Sequence, residues 1–89
     1  MAKFKVLLSE TARKQLAEIE AKDKGRVRRG LLQLETDPYR PRPGADIKKL
    51  VGADPPLYRL RVGDWRALFF IDGREVKVTS VRRREHAYD

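Results

Sequence analysis

The sequence predicts a single α+β domain, in which an N-terminal strand and a helical hairpin pack on one face of a small antiparallel β-meander. Three observations support this fold class: apolar residues alternate with polar ones in several short segments, two segments show helical spacing, and glycine-containing pairs mark two tight turns. The chain has 89 residues, enough for one core, so residues 1–89 are assigned to one domain.

The first part of the sequence predicts a strand followed by two helices. Alternating apolar residues over 4–8 predict the strand, and Ser9 is suited to cap a helix that runs to about residue 22. Residues 23–25 interrupt the helical spacing, which then resumes and ends before Asp37-Pro38, where proline disfavours helix. We expect a helical hairpin with two apolar stripes facing the core. The stripes comprise Ala12, Leu16, Ile19, Val27, Leu31 and Leu34.

The middle of the chain predicts a basic loop followed by a short strand. Residues 38–46 contain three prolines and two arginines, and they either connect two elements or border a phosphate site. Residues 47–51 predict a strand that carries Lys48 and Lys49, and residues 52–56 predict a turn.

The rest of the sequence predicts three antiparallel strands over 57–62, 65–71 and 75–82. The first turn is Gly63-Asp64, a glycine-first pair suited to a type II′ turn, and the second is Asp72-Gly73.

These turns fix which residues share a face of the sheet. The first places Arg61 opposite Arg66, and the second places Ile71 opposite Arg74, which sets Arg66 against Thr79. The predicted apolar face holds Tyr58, Leu60, Val62, Trp65, Ala67, Phe69, Ile71, Val76 and Val78. The other face holds Arg59, Arg61, Arg66, Lys77, Thr79, Val81, Leu68 and Phe70. Like charges directly opposite each other cost about 0.2–1 kcal/mol a pair, so this second face, the arginine face, is interpreted as a site for a polyanion.

Composition limits the classes of function. The formal charge of +8 favours capture of polyanions, although a solvated basic surface would give the same total. The sequence has no cysteine and one histidine, so we expect neither a metal site nor a cofactor, and the HExxH, P-loop, dinucleotide-binding and GxSxG motifs are missing. No signal peptide or membrane span is indicated, and the expected location is the cytoplasm.

The C-terminal tail adds basic and proton-transferring groups beside the arginine face. It places Arg82, Arg83, Arg84, His86 and Tyr88 after the last strand. Arginines bind phosphate oxygens and stabilise charge that develops in a transition state, and an imidazole or phenol can transfer a proton. Each residue also has a plain alternative, as part of a solvated charge run or a frayed terminus.

The segment LYRLRVGDWRALFF, residues 57–70, resembles the first hairpin of the RelE/ParE toxin superfamily. The order of elements, the Lys48-Lys49-Leu50 stretch and the Arg-rich tail that ends near Tyr88 are also similar. The resemblance covers the whole chain, and the hairpin is its specific part. It implies a toxin of a type II toxin–antitoxin pair. RelE-like members are ribosome-dependent endoribonucleases that cut mRNA in the A site, by metal-free attack of the ribose 2′-hydroxyl on the phosphate.

The resemblance also implies roles for residues. By motif position, the basic residues of the hairpin are Arg59, Arg61 and Arg66, the arginine after the last strand is Arg84, and the terminal tyrosine is Tyr88. His86 departs from the family pattern. Our hypothesis is that Arg61, Arg66 and Arg84 grip the scissile phosphate, while His86 or Tyr88 handles protons. The predicted RNA-binding residues are Lys48, Lys49 and Arg59, together with Arg82 and Arg83 of the basic tail, which replace the usual Gly-His of the family. RelE-like enzymes often carry lysines where this chain has Arg59 and Arg61, and arginine does not lose its proton. Charge stabilisation is therefore favoured over a general-base role at these two positions.

An antitoxin partner is implied as well. Leu68 and Phe70 are apolar residues on the arginine face, which predicts a docking surface for an acidic antitoxin segment. Alternatively, the N-terminal strand or the 38–46 loop covers them.

Three functions remain open from the sequence. The favoured one is a RelE-like mRNA endonuclease that acts on the ribosome and inhibits translation. The others are a ParE-like inhibitor of DNA gyrase and a non-catalytic nucleic-acid-binding module.

Overall fold

The computed structural model describes residues 3–84, which form a five-stranded mixed sheet with two helices on one face. The predicted α+β class is confirmed, including the N-terminal strand. The strands are β1 (Lys5–Leu8), β2 (Asp46–Leu50), β3 (Leu57–Val62), β4 (Trp65–Asp72) and β5 (Glu75–Arg83), and the helices are α1 (Glu10–Ala17) and α2 (Ala21–Gln33). None of the helices within residues 3–84 is long and apolar enough to cross a membrane.

Helix α1 begins where the sequence predicts. The Ser9 hydroxyl oxygen accepts a hydrogen bond from the backbone N–H of Ala12 at 3.0 Å, and its hydroxyl donates to the carbonyl of Thr79 at 3.0 Å. The same side chain therefore caps α1 and fixes it to β5.

The break between the helices does not lie at residues 23–25, as the spacing predicted. Helix α1 ends at Ala17, and α2 begins at Ala21 and continues through Gly25. The side-chain ammonium of Lys24 donates to the carbonyl of Ala17 at 3.0 Å, which satisfies a group that the end of α1 leaves open. Gly25 is tolerated inside α2 because a glycine destabilises a helix by only about 1 kcal/mol, which is less than the stabilisation that the helix gains from tertiary packing.

The sheet has the strand order β1-β5-β4-β3-β2. The meander β2–β5 is antiparallel, and β1 pairs in parallel with the outer side of β5. The first hairpin has the predicted register, with Val62 opposite Trp65 and Arg61 opposite Arg66. Its turn glycine, Gly63, has φ +58°, as the first central residue of a type II′ turn requires.

The second hairpin departs from the predicted register at both ends. Gly73, with φ +61°, occupies the first turn position, so Asp72 pairs with Glu75 and Ile71 with Val76. The predicted pairing of Ile71 with Arg74 is therefore wrong by two residues. Because side chains alternate between the faces with a period of two, this shift leaves each residue on its predicted face.

A bulge in β5 changes the faces farther along. The register shifts between Leu68 and Phe69, so that Val81 pairs with Ala67 and is only 2% exposed. The predictions that Val81 lies on the arginine face and that Arg66 faces Thr79 are both wrong. The extra residue of the bulge moves Val81 to the core side and brings Arg82 opposite Arg66. The side-chain oxygen of Gln15 accepts from the backbone N–H of Val81 at 2.7 Å, so α1 stabilises the shifted segment.

The core lies between the helices and the apolar face of the sheet, which holds the residues that the sequence predicts there. Helix α2 approaches β3 closely at Gly30, where a Cβ atom would lie 2.6 Å from a methyl carbon of Val62. A glycine at this position therefore sets the distance between helix and sheet.

The loop between α2 and β2 is held by one of its two arginines. The Arg42 guanidinium donates to the carbonyls of Gln33, Asp37 and Arg40 at 2.8, 2.9 and 2.7 Å. Asp37 accepts from the backbone N–H groups of Tyr39 and Arg40, which lower the pKa of its carboxyl below the usual value. Arg42 is therefore engaged as a structural residue, which favours the connecting interpretation of this loop.

Candidate nucleic-acid interface

The uncovered face of the sheet carries a row of charged residues across four strands. Asp46 on β2 pairs with Arg61 on β3, which pairs with Arg66 on β4, which pairs with Arg82 on β5. Cross-strand partners have Cα atoms about 4.5–5.5 Å apart, so three arginines leave the sheet side by side. The pairing of the two hairpins thus brings Arg61, Arg66 and Arg82 together.

Arg66 is the buried member of this row, with 4% of its surface exposed. Burial lowers the pKa of its guanidinium below the ordinary value, and the nearby charges of Arg59, Arg61 and Arg84 lower it further. Asp46 opposes this shift only in part. The guanidinium nevertheless remains charged at neutral pH, because arginine does not lose its proton in proteins. Burial and the neighbouring positive charges therefore both disfavour the charged form of Arg66.

A second row lies beside the first on the same face. It runs from Lys48 on β2 through Arg59 on β3 to Leu68 and Ser80 on β4 and β5. Arg59 is 7% exposed, and its guanidinium contacts both the backbone carbonyl and a carboxylate oxygen of Asp46 at 3.4 Å. Arg59 is thus positioned by the acidic residue that begins the first row.

Arg84 follows β5 and lies beside the turn of the first hairpin. Its backbone N–H donates to the carbonyl of Asp64 at 2.6 Å, which fixes the residue after β5 to the β3–β4 turn. Its charge acts on Arg66, so the two belong to one electrostatic cluster.

Two of the sequence-predicted RNA-binding residues lie apart from this cluster. Arg83 pairs with Trp65, and its guanidinium carbon lies 5.3 Å from the ring centroid of that residue, on the helix side of the sheet. Lys49 pairs with Tyr58, also on the helix side, and its side chain is exposed. Alternation within each strand therefore separates Lys48 from Lys49 and Arg82 from Arg83.

The two residues predicted to dock an antitoxin are half-buried on the arginine face. Leu68 pairs with Arg59 and Ser80, and Phe70 pairs with Lys77, whose ammonium lies 5.9 Å from the ring centroid. Strand β1 contributes Leu7 beside Lys77, and Phe70, Lys77 and Leu7 share the lining of a shallow cavity of about 270 Å³. The strand therefore borders Phe70.

His86 and Tyr88, the predicted proton-transferring residues, lie outside the described residues. Within residues 3–84 the arginine face has the means to bind a phosphate and to stabilise its charge, through Arg61, Arg66, Arg82 and Arg84. No group of His, Cys, Asp or Glu side chains within this range is placed to hold a metal ion.

Sequence reasoning missed two parts of this region. Asp46, which contacts Arg59, was assigned to a loop although the alternation of polar Asp46, apolar Ile47 and polar Lys48 continues the strand pattern. The groove beside α2, lined by Arg26 and Arg29, follows from the helix register and was also missed.

The comparisons with known proteins identify the class of protein as a toxin of the RelE/ParE superfamily. The chain belongs to the family described as "ParE toxin of type II toxin-antitoxin system, parDE", whose model matches residues 6–88. A RelE-like toxin is supported by the solved structures to which the chain is similar. No curated protein sequence matches the chain.

Three solved structures show the same fold. The archaeal RelE–RelB complex from Pyrococcus horikoshii contains a chain that is 26% identical, with a TM-score of 0.79 over 96% of this chain and 99% of that one. A RelB–RelE antitoxin–toxin complex from Methanococcus jannaschii gives 23% identity and a TM-score of 0.71, over 89% and 91% of the two chains. The RelBE2 toxin–antitoxin complex from Mycobacterium tuberculosis gives 22% and 0.73, over 92% and 99%.

Proposed function

We propose that this toxin is a RelE-like endoribonuclease that cuts mRNA in the ribosomal A site. The observation that carries the proposal is the arrangement of Arg66, which is buried between Arg61 and Arg82 in a field that lowers its pKa. The burial and mutual repulsion of these guanidinium groups destabilise the free protein. A bound phosphate group would offset this cost, because the anion neutralises several guanidinium groups at once.

The proposed reaction needs no metal ion. The ribose 2′-oxygen forms a bond to the adjacent phosphorus, the bond from phosphorus to the 5′-oxygen breaks, and a cyclic phosphate and a free 5′-hydroxyl result. The proton of the 2′-hydroxyl passes to a base, and the departing 5′-oxygen takes up a proton. Arg61, Arg66 and Arg84 stabilise the extra negative charge on the phosphate oxygens, and His86 and Tyr88 are the candidates for the proton transfers.

An antitoxin is the second proposed partner. The three similar structures are complexes of a toxin with its antitoxin. In this chain an acidic antitoxin segment would pair with the arginines and bury the half-exposed Leu68 and Phe70. Neutralising the arginine face in this way would also block access of mRNA.

The proposal is tested by mapping mRNA ends on translating ribosomes to which the purified chain is added. We expect cuts at A-site codons, and we expect Arg66→Met to lower the cleavage rate at least about a hundredfold, since it removes a charge that stabilises the transition state. Arg28→Met is the matched control, because it removes an exposed arginine on α2. Equal cleavage by the Arg66→Met variant and the unmodified chain would contradict the proposal.

Inhibition of DNA gyrase by a ParE-like toxin is the second candidate function, and the match to a model of ParE toxins favours it. That activity requires no cleavage of RNA. Induction of a DNA-damage response in cells whose mRNA stays intact would favour it over the endonuclease.

A further inference from the structure

We propose that a groove between α2 and the adjoining end of the sheet binds a backbone phosphate of the RNA strand, next to the phosphate that is cleaved. The inference rests on the proposed endonuclease function, and it extends the RNA contact beyond the arginine face. The groove has a volume of about 450 Å³, and Arg26, Arg29, Gln33 and Arg61 are among its lining residues.

The basic residues of this groove come from two different elements. Arg26, Arg29 and Gln33 stand at positions i, i+3 and i+7 of α2, so one face of the helix presents two guanidinium groups and an amide. Arg61 of β3 also lines the groove. The arrangement can donate several hydrogen bonds to the oxygens of one phosphate diester.

Arg61 also connects the groove to the arginine face. It belongs to the row with Arg66 and Arg82, and the same residue borders the groove. An RNA strand bound at Arg66 therefore has a continuous basic path from the sheet towards α2. Neighbouring phosphates of one strand can follow such a path, whereas a single free anion would use only part of it.

The backbone keeps the groove fixed. Gly30 brings α2 so close to β3 that its absent Cβ atom would lie 2.6 Å from Val62, which holds the two walls together. The Arg26 guanidinium lies over the β3–β4 turn, with its nearest nitrogen 3.2 Å from the position where a Cβ atom of Gly63 would stand. Arg26 is thus placed against a turn and does not simply extend into solvent.

The carboxylate of Asp46 lines the groove, and it already contacts Arg59 at 3.4 Å. The acidic group therefore opposes the groove's positive charge only in part. No aromatic side chain lines the groove within the part of the chain that the structure describes, so it offers no ring on which a base can stack. The chemistry thus favours the sugar–phosphate backbone, and binding should not depend on base sequence.

The test measures binding of fluorescent 2′-O-methyl oligonucleotides to the purified chain across a range of salt concentrations. These oligonucleotides lack the attacking hydroxyl, so the assay requires no cleavage. We expect the double variant Arg26→Ala, Arg29→Ala to bind a decanucleotide about tenfold more weakly. Its salt slope should fall by about 0.7 to 1.4, which corresponds to one or two lost phosphate contacts on a single strand. Binding of a trinucleotide, too short to extend from the arginine face into the groove, should change much less.

The matched control is Arg13→Ala, Arg28→Ala, which removes the same charge from exposed helix positions. A similar loss of affinity for both double variants would show a general effect of charge and would contradict the proposed phosphate site. Unchanged binding of the decanucleotide by the Arg26→Ala, Arg29→Ala variant would contradict it as well. Ribosomal cleavage is measured separately on the unmodified chain. If that chain binds the decanucleotide through the groove but does not cut mRNA, the endonuclease fails while the phosphate site stands. If the chain cuts mRNA but the groove does not contribute to binding, the proposed phosphate site fails while the endonuclease stands.

Discussion

The two faces of the same sheet have opposite properties. The face beneath the helices is apolar, and Leu60, Phe69 and Val76 on it are completely buried. The other face has no helix above it among residues 3–84, yet it contains two arginines with less than a tenth of their surface exposed, Arg59 and Arg66. The strands are shared, so alternation alone assigns each side chain to one environment or the other.

Successive residues of one strand are therefore expected to serve different purposes, with those on the helix face stabilising the fold and those on the arginine face available for binding. Burial of apolar side chains favours folding by about 25 cal/mol per Å², whereas burial of a charge among like charges opposes it. The helix face is therefore expected to contribute most of the free energy of folding. The arginine face is expected to destabilise the fold, while it provides charges that can bind a polyanion. Substitutions at neighbouring positions of β4 can test this division directly.

The largest effect is expected at Phe69, which is completely buried and stacks on Tyr58 with ring centroids 5.4 Å apart. Phe69→Ala should lower the free energy of unfolding by about 3–5 kcal/mol, because it leaves a cavity in the core. Leu68→Ala, one residue away on the arginine face, should cost only about 1 kcal/mol, because Leu68 is half-buried. Urea denaturation of the two variants measures both values. Similar losses at the two positions would contradict the division between the faces.

Alternation made much of this division predictable from the sequence. The glycine-first pair Gly63-Asp64 fixed the register of the first hairpin, so Arg61 and Arg66 could be placed opposite each other. The second hairpin was less predictable, because Asp72-Gly73-Arg74 admits two positions for a two-residue turn. The one observed places the glycine first, where φ is positive.

The bulge in β5 could not be predicted from local pattern. Thr79, Ser80 and Val81 continue an ordinary strand sequence, and nothing in it marks an extra residue. Long-range contacts determine its position: the Ser9 hydroxyl donates to Thr79, and Gln15 accepts from Val81. Only the folded chain therefore shows that Arg82, rather than Thr79, completes the row beside Arg66.

The helix break is a similar case. Gly25 gave a local signal for an interruption, but the break lies at residues 18–20 instead. This position lets both Leu16 and Ile19 reach the core, at 7% and 4% exposure. Tertiary packing thus outweighs the preference of one glycine.

The second prediction concerns the two glycines of α2. Gly30→Ala should destabilise the chain by about 1–3 kcal/mol, because the added Cβ atom would meet Val62 at 2.6 Å in a packed interior. Gly25→Ala should instead stabilise it by about 0.5–1 kcal/mol, since its nearest neighbour is the flexible end of Arg29 at 3.6 Å and alanine favours the helix. Thermal denaturation of both variants provides the comparison. If Gly30→Ala were as stable as Gly25→Ala, close packing of α2 on the helix face would not limit this position.

The third prediction concerns Arg66 on the arginine face, where the expected effect on stability is opposite in sign to that at Phe69. Burial, and then Arg59, Arg61 and Arg84, lower the pKa of Arg66, which means that the folded state binds its proton less tightly than the unfolded chain does. This cost is present in full at every pH below the folded-state pKa and is relieved only as the pH rises through that value, beyond the neutral range. Arg66→Met should therefore raise the free energy of unfolding at neutral pH by about 1 kcal/mol, while it removes cleavage in the ribosome assay. Arg28→Met, at an exposed position, should change stability by less than about 0.5 kcal/mol. A clear loss of stability on replacing Arg66 would mean that this arginine supports the fold, and that the two faces of the sheet are less distinct in their roles than their burial and charge indicate.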